Sequence, residues 1–84
     1  MEGRKVGEIT HFFNKIGVAV IELTDTLKVG DVIKVKGATT DFEQTVDSMQ
    51  IEHEKIEEAG KGQSVGLKVQ DAVRAGDEVF VMGN

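Results

Sequence analysis

Side chains capable of chemistry gather in a few short stretches of this chain. Glu52-His53-Glu54 sets an imidazole between two carboxylates, and Gly60-Lys61-Gly62 with Gly66 suggests a glycine-lined phosphate cradle. A metal centre needs three or four ligands converging on one point. Neighbours on a strand point to opposite faces, so His53 diverges from its glutamates, and His11, the other histidine, is distant in sequence. No metal is expected. The glycine spacing is not that of a P-loop, and no helical pattern follows to aim N–H groups at a phosphate. A turn entering a strand is expected there, and no nucleotide or other cofactor. The serines are Ser48 and Ser64, neither in a nucleophile-elbow pattern, and cysteine is absent. Nothing singles out a carboxylate pair for acid–base work. The chain is expected not to be an enzyme.

Phe12-Phe13-Asn14-Lys15 is the more informative surface candidate. One of two consecutive strand phenylalanines must face away from the core unless a bulge intervenes. An outward aromatic beside a lysine can anchor a protein contact or stack on a base. The plainer alternative is a ring that covers one end of the fold. Glu52, Glu54, Glu57 and Glu58 read as a solvated acidic face, or as one that meets a basic partner.

The elements that hold these residues are strands. Leu27-Lys28-Val29-Gly30-Asp31-Val32 returns as Val73-Arg74-Ala75-Gly76-Asp77-Glu78, each time followed by alternating apolar residues. Glycine reaches positive φ freely, and the aspartate after it can hydrogen-bond local backbone. Such a device sets where a strand begins, because a one-residue slip would turn its apolar face outward. The turn glycines and their partners are thus Gly30, Asp31, Gly62, Gly76 and Asp77. Six strands are expected: residues 6–13, 17–23, 31–36, 42–53, 63–69 and 78–82. Gly7 marks a bulge or crowded point, and Asn14 to Gly17 a hairpin turn. The run Val18 to Ile21 is apolar on both faces, as in a strand covered on both sides. The phase of 42–53 shifts at Asp47-Ser48, which a one-residue bulge would explain. Residues 54–62 read as a charged connection with a short helical turn. Gly66 is expected to mark close backbone approach inside the fold.

Eighty-four residues suit one domain, 1–84 with its core over about 6–82. Six strands without a substantial helix favour a closed antiparallel barrel, which removes exposed edges. Fifteen acids against ten bases give a net charge of −5, which argues against tight, sequence-blind nucleic-acid binding. The sequence shows no secretory h-region and no apolar run long enough to span a bilayer, so the expected setting is cytoplasmic, without membrane contact.

The order of Gly7-Glu8-Ile9-Thr10, Leu27-Lys28-Val29-Gly30-Asp31, Asp47-Ser48-Met49-Gln50 and Ala59 to Leu67 resembles the second domain of translational GTPases. The resemblance runs from about Val6 to Met82 and is strongest for the standalone translation-elongation-factor-like proteins. A related barrel closes the C-terminus of U32-family peptidase-like proteins. The resemblance implies a closed six-stranded antiparallel Greek-key β-barrel of the translation-factor domain 2 type. It implies a non-catalytic module that docks a ribosomal component, a factor or an RNA end. The alternatives are a detached accessory barrel of a U32-like or RNA-modifying enzyme, or a purely structural interaction module. No phosphate loop and no Asn-Lys-x-Asp guanine reader accompany it. Gln50, His53 and Lys68 stand at positions of the tRNA-end pocket but differ there in chemistry. Candidate contacts to protein or RNA are therefore Phe13, Asn14, Lys15, Gln50, His53 and Lys68.

Overall fold

The computed structural model describes residues 3–52 and 54–82, and these form an all-β structure. In chain order the strands are β1 (Arg4–Phe13), β2 (Val18–Leu23), β3 (Leu27–Lys28), β4 (Val32–Lys36) and β5 (Asp41–Thr45). They continue as β6 (Met49–Ile51), β7 (Glu54–Ile56), β8 (Glu58–Ala59), β9 (Ser64–Lys68) and β10 (Glu78–Val81). Eight pair in the order β5-β4-β10-β1-β2-β9-β6-β7, and β3 pairs with β8. Every pairing is antiparallel. No helix among the described residues is long and apolar enough to cross a membrane.

Five of the six expected strands are present, the sixth is divided into β5 and β6, and three short ones, β3, β7 and β8, join them. The largest departure lies in 42–53. The phase shift there is a change of partner rather than a bulge: β5 pairs with β4, whereas β6 pairs with β7 and β9. Between them Val46 exchanges two backbone hydrogen bonds with the Gly30-Asp31 turn, at 2.8 Å each, which pulls the chain out of one ladder and into another. Residues 54–59 form β7 and β8 instead of a helical turn. Glu52, at φ 51°, reverses the chain so that Ile56 falls opposite Met49.

One apolar core takes the inner side chains of the sheet, from Val6 and Ile9 through Ile21, Leu23, Ile33, Val35, Leu67 and Val79. Gly7 is both bulged and crowded. The β1–β10 register shifts between Lys5 and Gly7, and a Cβ on Gly7 would lie 2.7 Å from Ile21. Bulges let a strand twist sharply, and so help a sheet curl round its own core. A second bulge, between Ile9 and His11, was not foreseen.

The pairing order leaves β5 and β7 at its two ends, so the ladder itself does not form the expected closed ring. A side chain instead ties β5 to the C-terminal end of β9, two strands in from β7. Gln44, 7% exposed, donates from Nε2 to the Lys68 carbonyl at 2.9 Å and accepts at Oε1 from the Gln70 N–H at 2.8 Å. One amide thus offers the donor and acceptor that a neighbouring strand would offer.

Candidate functional site

Register decides which candidate residues meet. Phe12, Ala19, Leu67 and Met49 form one row across β1, β2, β9 and β6, and it faces the core. Since strand neighbours alternate between faces, the rows on either side face outward. One is His11, Val20, Gly66 and Gln50; the other is Phe13, Val18 and Lys68. With strands about 4.8 Å apart, the four-residue row spans roughly 14 Å. Phe13, Gln50 and Lys68, far apart in sequence, therefore share one outer face.

The hairpin tip extends this face. The Phe13 carbonyl accepts from the N–H groups of Gly17 at 2.9 Å and Ile16 at 3.2 Å, and Gly17 takes φ 68° to close the turn. Asn14 and Lys15 are exposed at the tip. Phe13 is 47% exposed and Ile16 62%, while Phe12 packs against the core. The outward ring expected of the Phe12-Phe13 pair is thus Phe13. The His11 and Phe13 rings meet edge-on with centroids 4.2 Å apart, which steadies both on the surface. Val18 and Val20 are half-buried, so β2 is not covered on both sides as expected. Gly66 also departs from expectation: it belongs to the outer face and not to the interior, because Val65 and Leu67 on either side are buried. Lys68 is held by its backbone, whose carbonyl is bound by Gln44.

His53 lies outside the described residues. Its flanking Glu52 and Glu54 are exposed, as are Glu57 and Glu58. Among the described residues no group of three or more His, Cys, Asp or Glu could hold a metal ion. The two outward rows and the tip offer apolar surface, the His11 ring, the amides of Asn14 and Gln50 and the ammonium groups of Lys15 and Lys68, with exposed Glu8 and Glu22 further along the same face. Those are the means of contact between molecules.

The repeated turns are there, and among the described residues they number three. Asp31 Oδ2 accepts from the Lys28 N–H at 3.0 Å, and Asp77 Oδ2 from the Arg74 N–H at 2.9 Å. Gln63 Oε1 accepts from the Gly60 N–H at 2.8 Å. Gly30, Gly62 and Gly76 take φ of 98°, 89° and 99°. Each turn also exchanges a pair of backbone bonds with a crossing residue: Val46, Leu23 and Ile9 respectively. The third copy was missed because glutamine replaces aspartate. The usable signal was a glycine followed by any side chain carrying a carbonyl oxygen, just ahead of a strand.

No protein-family model matches the chain. It is 44% identical over 79 residues, 93% of its length, to an uncharacterized protease of Methanocaldococcus jannaschii. A collagenase of Porphyromonas gingivalis is 34% identical over 77 residues. The chain spans only about a fifth of these relatives, 19% and 21% of their lengths. Two crystal structures of the C-terminal domain of a candidate U32 peptidase from Geobacillus thermoleovorans superpose with TM-scores of 0.86 and 0.89. They cover 95% of this chain and 99% and 93% of their own, at 18% and 17% identity. At that identity the likeness speaks for shape: this chain has the fold of the domain that ends a U32-type protein.

Proposed function

We propose that this chain is a non-catalytic accessory barrel that works beside a U32-type peptidase-like body and helps it hold or position its substrate. The observation that carries the reading is the length relation. Nearly the whole chain corresponds to one fifth of a protease-named relative, and its fold to the C-terminal domain of a U32-type protein. A segment of that size supplies a unit of recognition, while the other four fifths supply the bulk of the protein. In this reading the curled sheet acts as a closed barrel, with Gln44 tying β5 to the end of β9.

The chain's own residues support a role without turnover. No cysteine is available as a nucleophile, and the exposed face carries Phe13, Ile16, Asn14, Lys15, Gln50 and Lys68. Purified alone, the chain is expected to leave fluorogenic casein and gelatin intact over hours. Hydrolysis that co-elutes with the pure chain would end the reading.

A second reading keeps the translation machinery as partner: a cytoplasmic barrel that docks a ribosomal component, a factor or an RNA end. It is favoured by Gln50 and Lys68 sharing one outer face with Phe13. A pull-down with and without ribonuclease separates the two. Recovery of one peptidase-like protein, insensitive to ribonuclease, supports the first reading; co-sedimentation with ribosomes or tRNA supports the second.

A further inference from the structure

We infer that the outer face of β1, β2, β9 and β6, with the Asn14–Gly17 tip, is where this domain seats against the U32-type body. The patch it meets is apolar, with carboxylates at its rim. This rests on the accessory-barrel reading and adds to it the surface and the chemistry of the contact.

Gly66 is the central observation. Glycine inside a strand weakens it and, where the fold does not require it, marks close approach by another backbone. Here the fold does not require it. Gly66 is not among the glycines with positive φ. A Cβ placed on it would meet only Val18 Cγ1 at 3.4 Å and the Gln50 carbonyl at 3.8 Å, ordinary contact distances. Gly7 differs, since a Cβ there would collide with Ile21 and the Glu22 carbonyl. The bare backbone at Gly66 therefore leaves a dimple that the domain itself does not use. Half-buried Val18 and Val20 border it, and exposed Phe13 and Ile16 rise at one end.

Charge narrows the partner. Lys15 and Lys68 are exposed, and neither takes part in an ion pair among the described residues. Lys55 joins them opposite Gln50, and Glu8 and Glu22 offset them on the same outer face. These cations are too few to draw in a nucleic-acid backbone, which rewards many phosphate contacts. They suit a protein surface whose apolar centre is ringed by carboxylates, since rim charges set partner choice and orientation. The relatives are large enough to supply such a surface: the matched segment is 19% of the M. jannaschii protein.

The test replaces the matched 79 residues of the M. jannaschii protease with this chain. Hydroxyl-radical footprinting then compares side chains in the fusion with those of the isolated chain. Oxidation of His11, Phe13 and Ile16 should fall at least fivefold in the fusion, while Phe80 and Met82 stay unchanged. Gly66→Ala should leave the isolated chain's melting temperature the same or higher, yet restore oxidation of Phe13 in the fusion. Phe13→Ser should restore that of Ile16. Protection that appears on Phe80 and Met82 instead would overturn this face and leave the accessory-barrel reading standing. No protection on any face would overturn both. Equal protection of the isolated chain by a single-stranded RNA oligomer would overturn the choice of partner.

Discussion

The turns Lys28–Asp31 and Arg74–Asp77 are near copies in sequence and in hydrogen bonding, but they sit in different surroundings. In each, the aspartate binds the N–H three residues earlier at 3.0 or 2.9 Å, and its own N–H returns to that residue's carbonyl at 3.1 Å. Asp77 is 5% exposed, and its carboxylate fills the space where a Cβ on Gly37 would stand. Asp31 is only half-buried and borders an open hollow with Arg4, Asp25, Lys28 and Glu58. One local phrase makes the same turn twice. Burial then makes one copy structural and leaves the other near solvent.

Substitutions can break or sharpen that contrast. Gly37→Ala should have the largest effect, about 3 kcal/mol in urea unfolding, because overpacking a filled site forces neighbours to move. Asp77 cannot withdraw without giving up its bond to Arg74. Adding Asp77→Ala should therefore restore part of the loss, and a fully additive double mutant would show that the two do not touch. Asp77→Ala alone should cost about 2 kcal/mol, the value of a buried charge-assisted hydrogen bond, against about 1 kcal/mol for Asp31→Ala near solvent. Equal costs would erase the contrast.

Gly30→Ala and Gly76→Ala form the control. Both positions have the same φ within a degree and nothing within 4 Å of an added Cβ, so only backbone strain acts. Each should lower stability by about 1 kcal/mol, and the two losses should match in the same unfolding assay. A much larger loss at Gly76 would mean that its turn carries strain beyond its own dihedral angle. Gln63→Ala should be the mildest, about 0.5 kcal/mol, since it removes a neutral hydrogen bond at an exposed turn.

The same division between local and distant causes explains how much could be read from the residues. Gly30-Asp31, Gly76-Asp77 and the Asn14–Gly17 hairpin were legible because their hydrogen bonds close within four residues. The alternation of Val65, Leu67 and Val69 was legible because a strand's period is two. The two strands within 42–53 were not, since Val46 leaves its ladder for a turn fifteen residues earlier. Nor was the burial of Asp77, which depends on Gly37 across the sheet.

The outer face divides in the same way. Residue types named Phe13, Asn14 and Lys15 as contacts, because aromatic, amide and cationic groups recognise partners wherever they are exposed, and the resemblance to translational GTPases added Gln50, His53 and Lys68. Only strand register set Phe13, Gln50 and Lys68 on one surface and turned Gly66 outward between them. Side-chain chemistry belongs to a residue wherever it stands; neighbourhood across strands arises when the whole sheet curls and pairs.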